Sequence, residues 1–174
     1  TTAMLHGMIR LRHATGRGEW AVFEELQPGT GASRYSGRRW DVLAVHCWGS
    51  SKGHRICYEA KASRGDWLKE LSDPGKRDFA RALCHECWVA TVPGIVQVEE
   101  LPEGWGLLVA HGSVLRTARA AAQRESVETP DAFVAALARR GAEDGSKSPK
   151  PPPRGSWKFA GQEIAEADLA RVCR

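Results

Sequence analysis

The sequence predicts an α/β domain with a mixed central β-sheet flanked by helices. Three observations carry this reading. Short apolar, β-prone runs are bounded by glycine, proline and serine turns, capped helical segments lie between them, and the order is strand, strand, strand, helix, strand, strand. The 174 residues are 42% hydrophobic, enough for one packed core and too much for a disordered chain.

Taken in order, Ala3 to His13 is a short helix candidate with Met4, Met8 and Leu11 on one face, weakened by Gly7. Trp20 to Leu26 reads as a strand that ends at the turn signal Gln27-Pro28-Gly29-Thr30-Gly31. After a glycine- and serine-rich loop through Gly37, the run Arg38 to Trp48 turns apolar at Asp41 and reads as a buried strand. Gly49 to Gly53 is a polar hairpin connection, and Arg55 to Ala62 is the antiparallel partner. Ser63-Arg64-Gly65-Asp66 has the form of a helix N-cap with an acidic third residue, and Trp67, Leu68 and Leu71 follow at helical spacing.

Pro74 opens a second helix through Leu83, and Trp88 to Val92 and Leu107 to Ala110 read as strands. Val114 to Glu125, rich in alanine and arginine, reads as a packing helix. Thr129-Pro130-Asp131 caps another helix, which Gly141 stops. The predicted domain is therefore residues 1–141. Residues 142–155 form a proline-rich linker, and residues 156–174 are a tail whose stretch Trp157 to Val172, with Ile164, Leu169 and Val172, reads as a short amphipathic helix. Trp20, Trp40, Trp48, Trp67, Trp88 and Trp105 all fall in or beside these elements, so core packing is their default role.

A net charge of +4 favours a polyanion only mildly, and 21 acidic residues exclude a purely electrostatic nucleic-acid binder. A nucleic-acid partner therefore needs a local site. The stretch Thr1 to His13 lacks a signal-peptide core, and no apolar run is long enough to cross a bilayer. The expectation is a soluble protein of the cytoplasm, in a bacterial cell or a phage-infected host. Cys47, Cys57, Cys84, Cys87 and Cys173 are odd in number without a secretory signal, which points to reduced thiols.

The chemistry concentrates on the paired strands. Glu59 and Lys61 project from one face of their strand and Ala60 from the other, while Asp41 opens the neighbouring strand. Asp41 and Glu59, with the Ala60 carbonyl, would make an oxygen-only ligand set suited to Mg²⁺ or Mn²⁺. Lys61 would orient or help deprotonate an attacking water and stabilise charge on a phosphate. An Asp followed by Glu-x-Lys also arises by chance as a charged strand edge. Charges interrupting two adjacent apolar strands, however, call for a reason.

Longer stretches strengthen the pattern. Glu25-Leu26, Arg38 to Ala44 and Tyr58 to Leu68, followed by Asp73-Pro74-Gly75-Lys76, Cys84 before Trp88 and Glu100 to Leu108, together resemble the MmcB-like DNA-repair proteins and related phage-borne members of the PD-(D/E)XK nuclease superfamily. The likeness covers about Trp20 to Ala110. It implies a restriction-endonuclease-like core and divalent-metal cleavage of DNA, with Asp41, Glu59 and Lys61 matching the signature. A third acidic residue is usual, and Glu25 fits better than Glu24, since strand alternation puts only one of the two on the catalytic face. Members of that superfamily commonly cut as dimers, so a homodimer is among the expectations.

Arg38, Arg39, Arg64, Lys69, Lys76 and Arg77 are candidates for holding backbone phosphates, Arg64 and Lys76 foremost because they lie in the family-like stretches. Two other readings stand beside the nuclease. One is a non-catalytic DNA-binding or assembly module on the same fold, its tail recruiting a protein partner. The other is a zinc-binding interaction protein built on Cys84-His85-Glu86-Cys87 with Cys47, Cys57 and His46. It is the weaker, because only one Cys-x-x-Cys knuckle is present.

Overall fold

The computed structural model describes residues 1–14, 18–29, 35, 37–146, 157–159 and 162–164. Contacts divide the chain into two compact units, Thr1–Arg140 and Gly141–Arg174. The first contains one six-stranded sheet in the order β1-β2-β3-β4-β5-β6, formed by β1 (Trp20–Leu26), β2 (Trp40–His46), β3 (Arg55–Lys61), β4 (Glu86–Thr91), β5 (Gly106–His111) and β6 (Val114–Arg119). The pairs β1·β2, β2·β3 and β5·β6 are antiparallel, and β3·β4 and β4·β5 are parallel. This is the mixed sheet flanked by helices that the sequence predicts.

The parallel crossover from β3 to β4 places two helices over the sheet. Between β3 and β4 run α2 (Arg64–Leu71) and α3 (Pro74–Leu83), each started by its own sequence. Ser63 Oγ accepts from the Asp66 N–H at 3.2 Å, and Asp73 Oδ1 accepts from the Lys76 N–H at 3.2 Å just before Pro74, which has no N–H to leave unpaired. Trp67, Phe79 and Leu83 of these helices pack on Leu43, Cys57, Val89 and Leu107. Phe133 of α4 (Asp131–Ser146) joins them, its ring edge-on to Trp40 at 5.7 Å.

The opposite face is covered by α1 (Thr2–Arg12), whose Ile9 packs with Val42, Ala44, Tyr58, Ala90 and Leu108. Leu5 and Met8 meet Ala60 and Ala110. Every residue of β3 is buried, as a central strand covered on both faces requires. Polar side chains on β3 must therefore find partners inside the protein.

Several expectations need correction. Val114 to Glu125 is not a helix: Val114–Arg119 is the edge strand β6, where pairing with β5 overrides the helix propensity of Ala and Arg. The buried stripe of α1 is Leu5, Met8 and Ile9, whereas Met4 and Leu11 are exposed. Leu68 and Trp48 also lie exposed, the latter donating from Nε1 to the Gly18 carbonyl at 3.2 Å. Gly141 does not stop α4, which keeps helical backbone through it to Ser146, because a helical glycine costs only about 1 kcal/mol relative to alanine.

In the second unit, β7 (Trp157–Phe159) and β8 (Gln162–Ile164) form an antiparallel pair where the sequence predicts a helix; Leu169, Val172 and the prolines at 151–153 lie outside the described residues. Among the described residues no helix is long and apolar enough to cross a membrane.

Candidate active site

The end of β3 is where the sheet opens. The β2·β3 ladder closes at Val42↔Tyr58, so the Ala60 N–H has no strand partner there and donates instead to Asp41 Oδ2 at 2.8 Å. In an extended strand the N–H and C=O of one residue point to the same side, so the Ala60 carbonyl also lies towards Asp41. Asp41, Ala60 and the strand end are thus brought together by backbone geometry.

Glu59 and Lys61 project from the opposite side of the pleat to Ala60, beneath α2 and α3. Both are nearly fully buried. Lys61 Nζ lies 3.1 Å from Glu59 Oε2 and 3.9 Å from Asp41 Oδ2. Thr91 Oγ1 on β4 donates to the Lys61 carbonyl at 2.8 Å, fixing the strand that presents the lysine. The three residues singled out in the sequence therefore converge.

Two further residues complete the cluster, one of them absent from the sequence reading. Glu70 of α2 is buried, with Oε2 at 2.8 Å from Lys61 Nζ. Lys76 of α3 reaches back between the acids, 2.7 Å from Glu59 Oε2 and 2.8 Å from Glu70 Oε2. Glu70 follows Trp67 by one helical turn and so shares its inward face, which was the available signal. A charged residue on the stripe of a buried tryptophan is not a solvated one.

Electrostatics follow from this packing. Burial, and then the carboxylates of Asp41 and Glu70, push Glu59 up to about 7 against the pull of Lys76 and Lys61. Burial presses both lysines down, but Glu59 and Glu70 outweigh it and raise each above its ordinary value. Lys61 is therefore held as an ammonium and stabilises negative charge. It is not a resting base for a proton.

Three carboxyl groups, Asp41, Glu59 and Glu70, face the two ammonium groups of Lys61 and Lys76. Glu70 Oε1 is buried without a hydrogen-bond donor. Among the described residues, no three carboxylate, imidazole or thiol groups stand already arranged around a common metal position. The Lys76 ammonium lies between Glu59 and Glu70. The donor set nonetheless fits a hard divalent cation: it is all oxygen, its carboxylates crowd one another enough to raise Glu59, and it contains an orphaned acceptor.

A polar cleft of about 270 Å³ opens onto this cluster, lined by Gln27, Arg38, Arg39, Asp41, Asp73 and Lys76. Arg38 Nη1 donates to Asp73 Oδ2 at 2.8 Å, and Asp73 also caps α3, so one aspartate sets the cleft wall and the helix that carries Lys76. A larger hollow of about 680 Å³, lined by Arg10, Leu11, His13 and Trp20, lies on the α1 face. Among its described lining residues there is no acid–lysine cluster. Chemistry, not volume, marks the site.

The other candidates are sorted by the fold. Glu25 stands opposite Asp41 in the β1·β2 register but has φ 55°, in the left-handed region rarely used by a side-chain-bearing residue, and interrupts the ladder. Its Oε2 pairs with Arg39 Nε at 2.6 Å and does not join the carboxylate cluster. Glu24 faces α1, 3.0 Å from Arg10. Arg64 is held by both oxygens of Glu100 and donates to the Ile95 carbonyl, while Glu100 also accepts from Trp67 Nε1. Arg64 thus anchors the start of α2. Lys76 is in the carboxylate cluster, Lys69 is exposed and Arg77 is half-buried.

No family model and no curated protein matches this chain. Its fold is similar to that of SPO1766, a protein of unknown function from Silicibacter pomeroyi, with a TM-score of 0.57 and 21% identity over 82% of this chain and 84% of that one. At that identity the likeness concerns the fold alone. Away from the site, Cys57, Cys84 and Cys87 are buried free thiols, Cys47 is exposed, and His85 Nδ1 accepts from the Arg55 N–H at 3.0 Å.

Proposed function

We propose that this chain is a metal-dependent nuclease of the PD-(D/E)XK kind, with a restriction-endonuclease-like core, that hydrolyses DNA phosphodiester bonds in bacterial or phage DNA repair, recombination or processing. The observation that carries the reading is the convergence of Asp41, Glu59 and Glu70 with Lys61 at the open end of β3, beside a cleft bearing Arg38 and Arg39.

Asp41, Glu59 and the Ala60 carbonyl, with Glu70, would hold Mg²⁺ or Mn²⁺. A bound divalent cation supplies charge stabilisation at the phosphoryl oxygens and makes water a better nucleophile. The remaining work belongs to the protein. Lys61, kept protonated by its acidic neighbours, stabilises charge gathering on the phosphate and orients the attacking water. Arg39 at the cleft rim holds backbone phosphate and sets the register of the DNA. The burial that raises Glu59 also strengthens the electrostatic contacts of Lys61.

The test is plasmid nicking by the wild-type protein with Mg²⁺, with Mn²⁺ and with EDTA. Metal-dependent conversion of supercoiled DNA supports the reading, and no cleavage under any condition sinks it. The Lys76 ammonium between Glu59 and Glu70 favours a second reading, a non-catalytic DNA-binding module whose acids are neutralised by lysines. That reading predicts DNA binding without cleavage.

A further inference from the structure

Lys61 Nζ lies 3.1 Å from Glu59 Oε2 and 2.8 Å from Glu70 Oε2, and Lys76 is a second cation on the same two oxygens. It comes from α3 and not from the strand that carries the signature, and its Nζ bridges Glu59 Oε2 and Glu70 Oε2 at 2.7 and 2.8 Å. A divalent cation held by Glu59 and Glu70 would add its charge where two ammonium groups already converge. One ammonium must then yield, since like charges at such range repel strongly in a buried site.

The two lysines differ in what keeps them there. The Lys61 side chain is 9% exposed, and besides Glu59 and Glu70 it has Asp41 at 3.9 Å. The Lys76 side chain is 23% exposed, its described ion-pair partners are Glu59 and Glu70, and it also lines the cleft that contains Arg38 and Arg39. Lys76 therefore has an exit, and the exit leads to where a substrate phosphate would lie. Lys61 lies deeper and does not line that cleft.

We propose that Lys76 is a displaceable cation: its ammonium holds Glu59 and Glu70 together until a divalent cation takes their oxygens, and the released side chain then turns into the cleft beside Arg38 and Arg39 to contact a phosphate of the nucleic acid. The proposal rests on the nuclease reading above and adds to it a positioning residue with two stations. The ion pair preserves the acidic cluster before metal arrives. The exchange also conserves charge at the mouth of the site, because the cation that leaves the acids meets the anion that enters.

The experiment uses the full chain without DNA. Lysine acylation by acetic anhydride is followed by peptide mass spectrometry during a Mn²⁺ titration, with exposed Lys52, in the turn at the other end of β3, as reference. Lys76 is protected at the start, and its labelling rises about fivefold or more as Mn²⁺ saturates, while Lys61 stays protected. In parallel, calorimetry on Lys76→Met gives Mn²⁺ affinity at least about tenfold tighter than wild type or Lys52→Met, because a competing charge is gone.

Mn²⁺ binding with no change in Lys76 labelling overturns the proposal, as does unaltered affinity in a natively folded Lys76→Met. Failure of both proteins to bind Mn²⁺ overturns it too. The labelling arm uses the wild-type chain, so it decides even where the variant does not fold. Nicking of plasmid by the wild type alongside any of these failures removes only the role of Lys76 and leaves the nuclease reading standing.

Discussion

Lys61 Nζ stands 2.8 Å from Glu70 Oε2, an ion pair that ties the end of β3 to the second turn of α2. Neither residue is paired this way by proximity in sequence. The helix brings its carboxylate to the strand because Trp67, one turn earlier, is buried in the core and its Nε1 is fixed by Glu100. Glu70→Gln keeps the size and removes the charge. We expect plasmid cleavage to fall about 10- to 100-fold, the usual effect of losing a ligand or its support, with a native far-UV circular dichroism spectrum. A wild-type rate in that variant removes Glu70 from the site.

Lys61→Ala separates chemistry from binding. Its ammonium stabilises charge next to the acids but does not line the cleft, so cleavage is lost while duplex affinity stays within about threefold, measured by fluorescence anisotropy without Mg²⁺. Loss of binding in parallel with cleavage contradicts this placement. The melting temperature must be read beside it, because removing one partner from a buried ion pair costs about 3–5 kcal/mol where nothing replaces it.

What was legible from sequence was local. Strands β1 to β5 and helices α2 and α3 follow from apolar runs, turns and caps such as Ser63 and Asp73, and Asp41, Glu59 and Lys61 follow from strand alternation. Strand β6 was not legible: its residues are mostly exposed and rich in helix formers, and only pairing with β5 makes them extended. Glu70 was missed because the apolar positions Trp67, Leu68 and Leu71 were followed without the acid one turn after Trp67, which the docking of α2 buries beside it. The pairing of Arg64 was not legible either, since its partner Glu100 lies 36 residues away.

Gly106 tests the core opposite the site. It lies beside Trp88 in the β4·β5 register, and a Cβ added there would overlap the Trp88 ring and the Ala121 backbone nitrogen. Gly106→Ala is expected to lose about 1–3 kcal/mol by overpacking, read as a lower urea midpoint at unchanged m-value. Metal-dependent cleavage at a temperature where the variant is folded stays near wild type, because Trp88 packs on the α1 face of the sheet. An unchanged midpoint contradicts the close approach.

His13 gives the protein an acid limit. Its Nε2 lies 2.7 Å from the Tyr58 hydroxyl beneath Trp20, and burial, with Arg12 beside it, holds it down at about 4 from an ordinary 6.5. The folded state keeps His13 neutral while the unfolded chain takes up a proton below 6.5. Stability from this residue is therefore present above 6.5 and is lost as pH falls towards 4. The melting temperature of the wild type drops through that window, and that of His13→Gln drops less, so the two curves approach each other. Parallel curves would show that His13 titrates as it does in the unfolded chain.

Two arginines from the same list of sequence candidates should behave differently towards DNA. Arg39 lies at the cleft rim with a half-exposed side chain, paired with a similarly exposed Glu25. Arg64 has both terminal guanidinium nitrogens, Nη1 and Nη2, engaged by Glu100 and a carbonyl, at the start of α2. Neutralising a phosphate releases condensed counterions, so each lost contact lowers the slope of log affinity against log salt by about 1. Arg39→Ala is expected to weaken duplex binding and reduce that slope by about 1. Arg64→Ala leaves the slope unchanged and lowers the melting temperature instead, because it frees Glu100 from its role in holding Trp67 and α2. Equal slope losses in both variants would place Arg64 on the DNA and overturn the division of labour between the cleft rim and the helix anchor.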